Sequence, residues 1–189
     1  MRLSWMWRNS PAIVGAEMSE VINELEEADY YSVLFPIAST NADYLPQISA
    51  SIKNNQKIKY MIPIRPYLLS PQYLAMLSSG IERIASGRTI FNFIHGHLYE
   101  TENLDGIISS STDFSSSDNR RSHLEKFVST LKNIKMYDEA DFSDFVVSGG
   151  SQEILEITER LGGDLATSYS NYLTNHKACL LYTSDAADE

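Results

Sequence analysis

A parallel α/β fold of about six successive βα units is what this sequence predicts, on three observations. Short β-like apolar runs alternate with stretches of helical spacing along most of the chain. The run at residues 58–65 (IKYMIPIR) is apolar almost throughout, as a strand buried on both faces requires. No G-x-G-x-x-G follows the first strand, which argues against a dinucleotide-binding open sheet and favours a barrel. The alternation alone fits either an open doubly wound sheet or part of a closed (β/α)8 barrel.

In chain order, residues 3–7 read as a strand, and Val14, Met18, Val21, Ile22 and Leu25 then recur on one helix face. Residues 31–36 form a second strand, followed by the apolar stripe Leu45, Ile48 and Ile52. After the third strand at 58–65, Leu74, Leu77, Ile81 and Ile84 mark a helix that Gly87 stops, and residues 89–96 form the fourth strand. From 97 to 119 the chain is rich in Ser and Asp without periodicity, which predicts a long loop. Leu124, Phe127, Val128, Leu131 and Ile134 restore helical spacing; strands at 145–147 and 164–169 then flank a helix at 152–161.

The chain has 189 residues, of which 43% are hydrophobic, enough for one core. Its 25 acidic against 15 basic residues give a net charge of −10, which repels polyanions and argues against nucleic acid as a partner. The one cysteine, Cys179, allows neither an internal disulfide nor a cysteine-rich metal site. The start MRLSWMWRNS lacks a signal peptide's apolar run, and no stretch reaches the ~18–20 apolar residues that cross a bilayer; both point to a cytoplasmic protein without a membrane partner. The closing LLYTSDAADE reads as translated adapter sequence, so residues 1–177 are expected to form the domain and 178–189 a non-native tail. On that reading the chain is cut before a barrel closes, and its two open edges should make it poorly soluble or pair it with another chain.

In a parallel barrel the chemistry sits where strands end and helices begin, here residues 38–41, 65–66, 92–97 and 148–151. Ser148, Gly149, Gly150 and Ser151 join a strand directly to a helix; they are either a phosphate seat at the helix N-terminus or a tight turn with an N-cap. Arg65 ends an apolar strand, where its guanidinium requires a carboxylate such as Asp43 or Glu82, a phosphate, or an exposed mouth. The amide of Asn92, set among apolar neighbours, needs partners from the backbone or from a bound polar ring. His95 and His97 form an H-x-H pair, but the carboxylates near it lie in an irregular loop, so a ligand or the barrel wall is the expected partner of His95 and no metal is expected. A nucleophile elbow, a Walker loop and zinc spacing are absent, which removes acyl transfer and nucleotide hydrolysis.

Residues 32–96 resemble the luciferase-like flavin-dependent monooxygenases, most of all the alkanesulfonate monooxygenase branch. The resemblance rests on SVLFP at 32–36, Asp43, IRP at 64–66, SP at 70–71, ERIASGR at 82–88, FN at 91–92 and IHG at 94–96. Arg120 with EKF at 125–127, SGGS at 148–151 and Asp164 extend it over about the first 170 residues. It departs from the sulfonate branch at Asn41, where that branch tends to carry cysteine, and at His95, where it carries threonine. The resemblance implies an α/β fold that is a partial (β/α)8 TIM barrel, with reduced FMN (FMNH2) supplied by a flavin reductase and O2 used on a small organic substrate. It further implies that Ser148, Gly149, Gly150 and Ser151 hold the FMN phosphate, that Asn92, His95 and Gly96 lie at the ring with His95 as the catalytic residue, and that Asn41 and Arg65 lie near the ring or substrate mouth. Deazaflavin-dependent hydride transfer and a non-catalytic flavin-binding subunit are the alternatives, and a homo-oligomeric parent is left open. A chain ending here is expected to be inactive alone.

Overall fold

The computed structural model describes residues 4–7, 15–37, 43–52, 56–96, 114–134 and 144–167. Within them, β1 (Ser4–Met6), α1 (Gly15–Glu27), β2 (Ser32–Leu34), α2 (Leu45–Ser51), β3 (Lys59–Ile64), α3 (Pro71–Ala85), β4 (Thr89–Ile94), α4 (Ser117–Lys132), β5 (Phe145–Ser148), α5 (Gln152–Leu161) and β6 (Asp164–Ala166) follow one another. The six strands lie side by side in sequence order, and every neighbouring pair is parallel. An unreversed order has no topological switch point, so it is the connectivity of a barrel and not of a doubly wound sheet.

Burial decides the same question independently. Val33, Phe35, Tyr60, Ile62, Phe91, Phe93, Phe145, Val147 and Leu165 share one core with Met18, Ile48, Leu74, Leu124 and Ile154 of the five helices. The alternate strand residues Leu34, Met61, Ile90, Val146 and Ala166 form a second cluster made of strand residues, with Met6 and Tyr31 against it. Helices therefore cover one face of the sheet, and the other packs on itself. The sheet curls into part of a (β/α)8 barrel, as the sequence implies.

Local chemistry sets the element ends. Ser70 and Ser116 cap α3 and α4 by accepting the backbone N–H of Tyr73 at 3.1 Å and of Asn119 at 3.4 Å. α5 stops in a Schellman turn: Gly162 takes φ 71°, its N–H donates to Glu159 O, and the N–H of Gly163 donates to Thr158 O. A buried relay ties β3 to α1, in which the Tyr60 hydroxyl donates to Gln56 Oε1 at 2.6 Å and Gln56 Nε2 donates to Asn23 Oδ1 at 3.0 Å. Burial pushes the Tyr60 phenol up to about 12.

Three details differ from the sequence reading. α4 begins at Ser117, inside the stretch expected to be loop through residue 119, because its Ser-Ser-Ser-Asp run supplies the cap and an acidic first turn. A 3-10 turn at Pro66–Leu68, not expected from the pattern, links β3 to α3. The inner face of α3 is Leu74, Ala75, Ser78, Ile81 and Ala85, small residues included, which leaves the expected core residue Ile84 45% exposed. The tail at 178–189 and Asn41 lie outside the described residues.

Gly163 sits against the buried ring of Phe145, where an added Cβ would come within 2.4 Å of Cε2. That ring packs edge-on to Phe93 at 5.7 Å, so it has little room to yield. Gly163→Ala is expected to destabilise the fold by about 1–3 kcal/mol, measured by urea denaturation.

Candidate functional site

Register brings the ends of four strands, β3 to β6, to one level. Ile64 pairs with Phe93, Phe93 with Val147, and one residue further Ile94 pairs with Ser148 and Ser148 with Ala166. The residues that follow therefore meet at a single rim, the carboxyl end of the sheet. Arg65, Asn92, His95, Gly96 and the turn 148–151 all lie there.

Asn92 and Ser148 continue the alternation of Ile90 and Val146, so both belong to the inner face. They are joined directly: the Ser148 hydroxyl donates to Asn92 Oδ1 at 2.6 Å. Asn92 is 1% exposed, and this bond gives its buried oxygen a donor. Arg65 is also buried, directly after β3. Of its sequence-expected carboxylate partners, Asp43 accepts the backbone N–H of Leu45 at 2.8 Å and Glu82 that of Gly87 at 2.6 Å.

Gly96 closes the wall between β3 and β4. Its φ of 73° lies in the left-handed region, and an added Cβ would sit 3.1 Å from Tyr67 Oη and 3.7 Å from Arg65 Nε. Its carbonyl accepts Arg120 Nε at 3.2 Å, while Arg120 Nη1 donates to the carbonyls of Phe114 at 2.6 Å and Ser115 at 2.7 Å. The ring of Phe114 in turn packs between Tyr67 at 5.6 Å and His123 at 5.0 Å. His123 Nε2 lies 3.2 Å from Pro66 O, so α4 holds the ends of both β3 and β4.

His95 follows β4 with the parity of Phe91 and Phe93, opposite to Asn92. Burial lowers its pKa, the guanidiniums of Arg121 and Arg120 lower it further, and a hydrogen bond that the ring donates to the Ser148 backbone carbonyl opposes them. Among the described residues its Nδ1 is buried without a hydrogen-bond partner. The imidazole is therefore held neutral beside α4 and β5. His97, the other half of the H-x-H pair, lies outside the described residues.

At the 148–151 turn both alternatives posed by the sequence have structural correlates. Ser151 is the N-cap of α5, its Oγ accepting Ile154 N at 3.4 Å. Gly149 is pressed against α5, where an added Cβ would be 2.9 Å from Ile154 Cγ2, and its N–H is committed to Ala166 O at 3.0 Å. The backbone N–H of Gln152 opens the helix with no i−4 carbonyl to accept it, whereas that of Glu153 is turned onto its own carboxylate. Two neighbours escaped the sequence reading. Thr167 is 3% exposed, with no hydrogen-bond partner for Oγ1 among the described residues, and its position after β6 is the signal that marks it. Glu153 brings a carboxylate to the first turn, where the hydroxyl of Ser151 lowers its pKa most.

No protein-family model matches the chain. Among solved structures it is similar to the EDTA monooxygenase EmoA from Chelativorans sp. BNC1, at 13% identity and a TM-score of 0.61 over 88% of this chain and 55% of that one. It is similar to a coenzyme F420 dependent tetrahydromethanopterin reductase from Methanopyrus kandleri, at 15% identity and a TM-score of 0.59 over 89% of this chain and 56% of that one. It is also similar to the long-chain alkane monooxygenase LadA, at 12% identity and a TM-score of 0.58 over 74% of this chain and 46% of that one. At such identities the likeness is one of fold, and the chain spans about half the length of these structures.

The lowered pKa of His95 gives a signed expectation. Below its ordinary value of 6.5 the unfolded chain takes up a proton that folded His95 resists, so acidification from about pH 7 costs stability. His95→Asn is expected to flatten the fall in Tm between about pH 7 and 5 relative to the unsubstituted chain, measured by thermal melts across that range. Equal slopes would mean that the ring is solvated in the native state.

Proposed function

We propose that this chain is the N-terminal half of a luciferase-like flavin-dependent monooxygenase that takes reduced FMN from a separate flavin reductase and uses O2 on a small organic substrate. The observation that carries this reading is the meeting of the Asn92–Ser148 pair, Arg65 and the 148–151 turn at one end of the sheet. The residues fit the cofactor. Two buried polar atoms without partners among the described residues, His95 Nδ1 and Thr167 Oγ1, lie at the same strand ends, and the turn opens directly onto a helix N-terminus.

In this reading Ser148, Gly149, Gly150 and Ser151 seat the phosphate. The commitment of the Gly149 N–H to Ala166 shifts that seat toward Ser151 and the first turn of α5. Asn92, its oxygen already engaged by Ser148, offers amide N–H groups to a ring carbonyl. Arg65 and Asn41 would lie near the ring or the substrate mouth, as the resemblance implies. His95, kept neutral, can accept a proton at Nδ1 and is the general-base candidate. Bound FMN would supply the electrons for oxygen activation, while the wall of Gly96, Tyr67 and Phe114 restricts water.

One observation favours hydride transfer from a reduced deazaflavin as a second reading. The Glu153 carboxylate at the α5 N-terminus repels a phosphomonoester dianion more than a singly charged phosphodiester. The experiment is anaerobic titration of the completed protein with reduced FMN, followed by an oxygen-electrode assay with a reductase and a substrate panel. Substrate-dependent oxygen consumption supports the monooxygenase, turnover only with reduced deazaflavin supports hydride transfer, and flavin binding without either leaves a non-catalytic subunit. Asn92→Ala is expected to weaken flavin binding about tenfold, or about 1.4 kcal/mol. Unchanged affinity would remove the ring from the inner face.

A further inference from the structure

The first turn of α5 carries an anion that the chain itself supplies. The Glu153 carboxylate accepts the hydroxyl of Ser151 and the backbone N–H of its own residue. Both donors belong to the set that the start of a helix offers to a phosphate. Two further groups of the turn are engaged in the fold: Ser151 Oγ also accepts Ile154 N at 3.4 Å, and the N–H of Gly149 donates to Ala166 O at 3.0 Å. An incoming oxyanion therefore meets a carboxylate already on the donors it needs.

A separate observation marks the same place. Ser148 pairs with Ala166, so Thr167 stands level with Gly149. Leu165 belongs to the helix-covered face and Ala166 to the inner one, and alternation carries Thr167 to the helix side, where α5 packs on β5 and β6. Thr167 is 3% exposed, and among the described residues its hydroxyl has no hydrogen-bond partner. A buried hydroxyl left so costs stability, and a valine of the same shape would serve the fold better. The threonine is accounted for by a polar ligand beside the start of α5.

We propose, on the reading of residues 148–151 as the phosphate seat, that the hydroxyls of Thr167 and Ser151 grip the phosphate together and that Glu153 holds their seat closed until the phosphate displaces its carboxylate. The device sets a threshold. Every anion binds more weakly than the donors alone would allow, and an anion that cannot also engage Thr167 does not recover the loss. Arg121 of α4 already attracts the Glu153 carboxylate, while its own partners are Asp118 and Ser117, so the displaced side chain has a cation to turn to.

The test is thermal melting of the chain against inorganic phosphate, with chloride at matched ionic strength as the reference. Phosphate is expected to raise Tm, and Glu153→Gln to reach the same rise at roughly three- to tenfold less phosphate. Glu153→Ala, which also removes the side-chain acceptor, should respond in the same direction. Thr167→Val should melt at least as high as the unsubstituted chain without phosphate, because it removes an unsatisfied hydroxyl, and should lose most of the phosphate response. A purely structural hydroxyl would instead lower Tm with no ligand present. Equal phosphate responses in the unsubstituted chain and both Glu153 variants, a full response in Thr167→Val, or no response in any of them would overturn the proposal. Riboflavin, which has the ring without the phosphate, separates these outcomes from failure of the flavin assignment. A chain that responds to phosphate as described yet binds neither riboflavin nor FMN keeps the gated seat and loses the flavin. One that binds riboflavin, with an affinity for FMN that Glu153→Gln leaves unchanged, keeps the flavin and loses the gate.

Discussion

One-sided helix cover is the constraint on which this molecule depends. A parallel sheet has two faces to bury, and here the helices reach only the face of Val33, Tyr60, Phe93, Phe145 and Leu165. The opposite face satisfies itself by curling, so that Leu34, Met61, Ile90, Val146 and Ala166 pack on one another. Curling gives the sheet an inside, and parallel register gives that inside a rim. The position of the chemistry follows from burial before any functional residue is considered.

At the rim, polar groups replace the apolar belt in the next rows. Asn92 and Ser148 stand above Ile90 and Val146 on the same face, and the hydrogen bond from the half-buried Ser148 lets Asn92 occupy a buried site. The positive charge of α4 is organised toward structure: Arg120 is engaged by three backbone carbonyls, and Arg121 pairs with Asp118. Burial, and after it the field of these two arginines, keeps a proton off His95. A neutral imidazole beside buried hydrogen-bonding groups is suited to moving protons rather than to binding an anion.

The strands and helices were legible because each carries its own period. Residues 58–65 and 89–96 read as strands for the reason that they are strands, apolar cover on both faces, and Gly87 and Ser151 marked element ends through backbone chemistry. The face of α3 was misread at Ile84 because apolar spacing counts large residues, whereas close packing chose Ser78 and Ala85. Which strand-end residues share a face was only half legible. Parity sets Asn92 with Ser148 but His95 against α4, and parity after a strand ends depends on the turn that follows. Thr167 and Glu153 passed unseen because neither residue type is unusual where it stands; only their surroundings make them notable.

Arg120 has a consequence for how such a protein can change over time. One guanidinium grips the carbonyl at which the chain leaves β4 and the two at which it returns to α4. The close of β4 and the start of α4 are thus fastened to each other through a single side chain, so a change at residue 120 would loosen two element ends at once, and a lysine, with one nitrogen, could not replace the fork that spans them.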